Sequence, residues 1–244
     1  MGGELFGIVI VNVLLSVVTL SFYRFWARTR VRRYLWSHIS FLDDRFEYTG
    51  RGKELFLGFL IVIGVFIPFV VIFQLVDVFV GEDAPSLVQG VETAYPFAFL
   101  FLVQIAIFRA RRYRLSRTQW RGIRGAQTGS AIQYAVRALG YLILTVATLG
   151  IALPFKNTRL TTYKLNNTWF GDRQVQFEGR PSDLMATWLK CWLLLLPTFG
   201  LSYFWYRAAQ IRYFARCTEF EALRFKSDVR GRQLLWVYIP YWLI

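Results

Sequence analysis

The apolar positions fall in long runs rather than at the spacing of a soluble core. From Leu5 to Phe22 the only polar side chains are Asn12, Ser16, Thr19 and Ser21, and Leu55 to Val76 contains one, Gln74. Further runs cover Tyr95–Phe108, "AIQYAVRALGYLILTVATLGIALPF" from Ala131 and "LMATWLKCWLLLLPTFGLSYFW" from Leu184, and "LLWVYIPYWLI" closes the sequence at Ile244. About 20 predominantly apolar residues span a bilayer core as a helix. The pattern predicts a mostly α-helical polytopic membrane protein, a single domain over 1–244, with about five spans and a sixth cut short. The start, "MGGELFG", has no basic region ahead of its apolar run, so it predicts a first span and not a cleavable signal.

Each long run leads into a basic, aromatic stretch, and those stretches recur. A shift of 129 residues lays Arg30 on Arg159, Tyr34 on Tyr163, Phe41 on Phe170 and Gly50 on Gly179. A shift of 179 lays Trp26 on Trp205, Arg33 on Arg212 and Tyr34 on Tyr213, and one of 79 lays Arg30 on Arg109, Arg33 on Arg112 and Tyr34 on Tyr113. One unit therefore repeats near 19–54, 98–133, 148–183 and 198–233. In each, an apolar helix is expected to continue as a basic amphipathic stub, followed by a short β-hairpin. Trp26, Arg30, Arg33 and Tyr34 share one side of such a stub helix. Thr168, Phe170, Val175 and Phe177 alternate about Gly171-Asp172, a two-residue hairpin signal.

Charge follows the same division. Of 29 lysines and arginines, 27 lie in the blocks 23–53, 109–130, 156–183 and 206–232, while 77–94 holds Asp77, Glu82, Asp83 and Glu92 and no base. The excess of positive charge predicts cytoplasmic basic blocks and an acidic external loop, 77–94. The crossings then conflict. Blocks two and three, and blocks three and four, are each joined by one apolar stretch. Single crossings put 156–183 outside. The alternative is re-entry, marked by "TLG" at 148–150 and "TFG" at 198–200 in identical register. Both alternatives stand at this point.

The strings "FWARTRVRRYLWSH", "FEYTGRGKELFLGF", "RYRLSRTQWRGIR" and "YKLNNTWFGD" resemble the YjgN-type family of bacterial inner-membrane proteins. The resemblance covers nearly the whole chain. It implies a multi-pass inner-membrane location and no activity, since the family is a domain of unknown function. Members look longer at the C-terminus, which implies a truncated product or a fragment here.

Chemistry for catalysis is sparse. His38 is the only histidine, and Cys191 and Cys217 are the only cysteines, so no zinc spacing and no catalytic triad can be assembled, and no cofactor is expected. The chain points away from an enzyme. Nucleic acid is not an expected partner, because each basic block follows directly on an apolar helix. Arginines at phosphate depth with Trp and Tyr at the interface suit anchoring to membrane lipid, particularly anionic lipid. The candidate binding residues for such lipid, or for a protein partner or second copy, are Trp26, Arg30, Arg33, Tyr34, Arg109, Arg112, Tyr113, Arg159, Tyr163, Trp205, Arg212 and Tyr213. Gln74, Gln104 and Lys190 are the candidate intramembrane polar residues. They motivate the rival expectation, a small-solute transporter or channel built from repeats.

Overall fold

A computed structural model describes residues 2–80 and 84–236. The chain is mostly helical and divides into two compact units, Met1–Ala126 and Gln127–Ile244. The first contains α1 (Gly2–Val18), α2 (Arg24–Ser37), β1 (Ser40–Phe41), β2 (Asp44–Tyr48), α3 (Gly52–Val80), α4 (Pro85–Ser116), β3 (Thr118–Trp120) and β4 (Ile123–Gln127). The second contains α5 (Ala131–Ala147), α6 (Leu153–Leu165), β5 (Thr168–Phe170), β6 (Arg173–Phe177), α7 (Ser182–Leu193), α8 (Ser202–Arg216), β7 (Thr218–Phe220) and β8 (Leu223–Arg224).

The apolar helices do not run on into basic stubs as expected, except in α4. Elsewhere a turn separates them, and the stub packs back as the second arm of a helical hairpin. The turn has one chemistry. In Thr19-Leu20-Ser21, Thr148-Leu149-Gly150 and Thr198-Phe199-Gly200 the second and third residues take positive φ, from 48° to 90°. The third residue's N–H reaches back five residues, to Ser16, Thr145 or Leu195, at 2.6 or 2.7 Å, closing the first helix. The threonine hydroxyl then accepts the N–H four residues on, from Tyr23, Ala152 or Ser202, at 3.0 to 3.2 Å, and so ties down the entry to the returning helix. The register-equivalent triplet in the second repeat is Ala98-Phe99-Leu100. It has neither the threonine hydroxyl nor a glycine or serine at the third place, and α4 passes straight through it.

Lengths follow. At 1.5 Å per residue α3 and α4 are about 44 and 48 Å long, whereas α5 is about 25 Å. Among the described residues two helices, Gly52–Val76 and Val88–Ser116, have the length and apolarity to cross a membrane, and Gly3–Val18 and Ala131–Ala147 are apolar but shorter. The expected five spans are thus corrected to two long helices plus short hairpins, because the Thr-x-Gly/Ser turns halve the other runs. The stretch expected as an acidic loop, 77–94, is largely helix, with α3 reaching Val80 and α4 starting at Pro85. Its Glu82 and Asp83, and the terminal apolar segment from Val237, lie outside the described residues.

Strands β1–β2, β3–β4, β5–β6 and β7–β8 are the expected short hairpins, with Gly171 at φ 61° opening the β5–β6 turn. What alternation does not reveal is their linkage. β2 pairs antiparallel with β3 (Glu47 opposite Gln119), and β6 pairs with β7 in the same register (Gln176 opposite Glu219).

Candidate functional site

Every hairpin base is fastened by the tyrosine of its basic arm. Tyr34 donates to Glu4 Oε2 at 3.1 Å and Tyr113 to Glu54 Oε2 at 2.7 Å. Tyr163 accepts the Ser130 N–H and donates to the Ser130 carbonyl, both at 2.9 Å, with Gln133 Oε1 at 3.5 Å. Tyr213 accepts the Arg180 N–H at 2.7 Å and donates to Asp183 Oδ2 at 2.6 Å. The partners Glu4, Glu54, Gln133 and Asp183 are themselves spaced by 50, 79 and 50 residues, so each hydroxyl meets the start of the apolar helix that precedes it. Burial, then the neighbouring carboxylate, pushes the Tyr213 hydroxyl well above its ordinary range, which keeps it a donor. Arg117 adds a second bond to Glu54, at 2.9 Å.

The remaining residues named from sequence fall into two groups. Some are occupied in holding the fold. Arg33 donates to the Gly50 carbonyl at 3.5 Å, and its equivalent Arg212 donates to the carbonyl of Val229. Trp26 lies against Gly52, where an added Cβ would meet its ring at 2.6 Å, and Trp205 lies likewise against Gly231. Arg112 sits over the Phe108 ring, 5.6 Å from its centroid. The others are exposed: Arg30, Arg109 and Arg159 stand at one repeat-equivalent position on three basic arms. The intramembrane candidates do not converge. Gln74 is exposed on α3, Gln104 is half-buried on α4 with no hydrogen bond between them among the described residues, and Lys190 is exposed near the end of α7.

The sequence reading missed a groove in the first hairpin. A cavity of about 470 Å³ opens between α1 and α2. Val9, Val13 and Val17 form one wall, and Arg24, Arg28 and Arg32, one turn apart on α2, line the other. Asn12 faces this space at 5% exposure, with neither amide atom hydrogen-bonded. Arg24 lies over the Phe25 and Phe59 rings at 5.0 and 4.9 Å, and Arg32 reaches the Tyr48 hydroxyl at 3.4 Å. No carboxylate lines the groove. A signal was available: arginines at 24, 28 and 32 form a stripe, on a different face of the helix from Trp26 and Tyr34.

Comparison with known proteins agrees with the apolar pattern. Residues 1–202 match the family model described as "Bacterial protein of unknown function (DUF898)". The chain is similar to two curated proteins, both named inner membrane protein YjgN. It is 36% identical to that of Salmonella typhimurium strain LT2 over 76 residues, 31% of this chain and 18% of that protein. It is 30% identical to that of Escherichia coli O157:H7 over 123 residues, 50% of this chain and 28% of that protein. The chain therefore spans well under half of either relative's length. No solved structure matches. These relatives support a bacterial inner-membrane location, and the two long apolar helices are compatible with it.

Proposed function

The chain belongs to the bacterial DUF898 family of unknown function, and on that premise we propose a multi-pass, non-enzymatic inner-membrane protein whose four repeated hairpins gather their basic arms on the cytoplasmic side and bind anionic lipid there. The observation that carries this reading is the set of four tyrosine fastenings. Each joins the two ends of one hairpin, so each hairpin leaves and returns on one side. Among the described residues no membrane-length helix separates successive hairpins, so chain continuity keeps all the bases on that side. The conflict between basic blocks and crossings then disappears: α3 and α4 cross as a pair, and the short hairpins dip and return.

Charge depth supports the same arrangement. Between Arg137 and Lys156 lie 18 uncharged residues, and between Lys190 and Arg207 lie 16. Cut by the turns at 148–150 and 198–200, the third hairpin's arms carry 10 and 5 uncharged residues and the fourth's 7 and 6, about 15 and 8 Å and about 10 and 9 Å, so neither is longer than half of a hydrocarbon core of about 30 Å. Phe199 and Leu149 at the tips are 96% and 79% exposed. Non-helical backbone at membrane depth needs protein partners, and the carbonyls of Leu149 and Gly150 receive the indole N–H groups of Trp192 and Trp188, each at 3.0 Å. Lys190 then sits at the interface and snorkels, rather than marking a solute path.

The test is reconstitution of the full chain in nanodiscs of phosphatidylglycerol or phosphatidylcholine. Phosphatidylglycerol is expected to raise the melting temperature. Replacing Arg30, Arg109 and Arg159 by glutamine is expected to remove most of that increment, each exposed arginine contributing about 1 kcal/mol. An increment unchanged in the triple variant would exclude the basic arms as the lipid-binding surface.

A further inference from the structure

The first hairpin is hollow where the fourth is solid. In the repeat register Val9 corresponds to Trp188 and Ala27 to Tyr206. Trp188 and Tyr206 pack at 4.6 Å between ring centroids in the core of the fourth hairpin, with Leu184 and Cys191. Val9 and Ala27, by contrast, border the open space between α1 and α2. The same backbone arrangement that elsewhere encloses two large aromatics here encloses nothing of the chain's own. The lining is also chemically divided. Valines face one side, a stripe of arginines the other, and Asn12 sits between them as a buried amide with two donors and an acceptor unused. An unsatisfied buried amide is destabilising, and a ligand with its own donors and acceptors removes that cost. The volume falls within the range of about 300–1,000 Å³ typical of small-molecule sites.

We propose that this groove is a binding site for one anionic phospholipid of the inner leaflet. An acyl chain lies along Val9, Val13 and Val17, the phosphate meets Arg28 between Arg24 and Arg32, and the ester or glycerol oxygens pair with the Asn12 amide. Arg28 has no side-chain partner among the described residues, and all three cations lack a carboxylate in the groove, so the charge complement is an anion. Arg24 over the Phe59 ring, seven residues into α3, places the cationic wall about 10 Å from the start of that helix. A soluble anion would leave the valine wall unfilled. This inference rests on the membrane placement above but concerns a stoichiometric site, distinct from the exposed arginines of the basic arms.

The full chain, purified in mild detergent and washed with excess phosphatidylcholine micelles, is assayed by mass spectrometry for retained phosphatidylglycerol. The wild type is expected to retain about one molecule per chain. Two variants are compared with it. V9W/A27Y fills the groove with the aromatic pair that the fourth hairpin already accommodates, and N12L/R28Q removes the polar contacts. Both are expected to lower retention by at least about tenfold, as loss of a charge-assisted contact does. Should the filled variant fail to fold, as judged by circular dichroism, the polar variant decides the matter. Retention unchanged in a folded variant overturns the site. So does delipidated protein that is stabilised equally by inorganic phosphate and by phosphatidylglycerol, which identifies a soluble anion as the ligand. The R30Q/R109Q/R159Q variant is expected to keep its groove lipid while losing most of the nanodisc increment, so failure of this inference and failure of the basic-arm reading give different results.

Discussion

At the scale of single residues, a tyrosine hydroxyl set against the first turn of a neighbouring helix does two things. It satisfies donors or acceptors that the helix start leaves without partners, and it fixes where the basic arm begins relative to the apolar one. Tyr213 serves both ends at once, accepting from the Arg180 N–H and donating to the Asp183 carboxylate. Tyr213→Phe is therefore expected to lower the melting temperature of the detergent-solubilised protein, by about 1–3 kcal/mol for lost bonds that include one to a charged group. Tyr34→Phe, which loses a single longer bond to Glu4 at 3.1 Å, is expected to lower the melting temperature by less. Equal effects at the two sites would mean that the hydroxyl contacts are not what fastens the bases. The tyrosines were visible in sequence as one member of a repeated face. Their partners were not, because Glu4, Glu54, Gln133 and Asp183 change between acid and amide and stand outside the aromatic–basic stretch that announces the unit.

At the scale of elements, the turn triplet decides between a hairpin and a span. The register of "TLG" and "TFG" is legible, and so is the alternative of re-entry, but "TLS" at 19–21 is not, because serine stands in the glycine's place. The continuation of each apolar helix into its stub was a sound inference from hydropathy alone, since a hydrophobic run gives no sign of reversing direction at its middle. Backbone chemistry is what reverses it. Two glycines in the same hairpin provide the contrast. Gly150 takes φ +90° in the turn, while Gly140 lies inside α5 with open space around an added Cβ. Gly150→Ala is expected to destabilise by about 1–2 kcal/mol, the cost of left-handed backbone for an L-residue. Gly140→Ala is expected to be neutral or to stabilise by up to about 1 kcal/mol through helix propensity. Thermal unfolding of the two variants side by side checks the pair, and a destabilisation that is equal or reversed would remove the turn from its proposed role.

At the scale of the whole molecule, the arrangement predicts that no basic block leaves the cytoplasm. The basis is a combination of local facts: hairpin ends that meet, uncharged arms in the third and fourth hairpins no longer than one leaflet is thick, and tip carbonyls of the third hairpin covered by Trp188 and Trp192. Single crossings would instead place 156–183 outside, with an apolar stretch of only 18 uncharged residues interrupted by the turn at Gly150. In a background lacking Cys191 and Cys217, single cysteines at Asp44, Ser86 and Asp172 separate the two. An impermeant thiol reagent added to whole cells is expected to label the Ser86 position, between the two long helices, and to leave the Asp44 and Asp172 positions unlabelled until the membrane is opened. Labelling at Asp172 without labelling at Asp44 would mean that neighbouring repeats are inverted. The equal-sided hairpins would then have to be abandoned, and repeats of opposite orientation would restore the transporter expectation, because alternating access needs them.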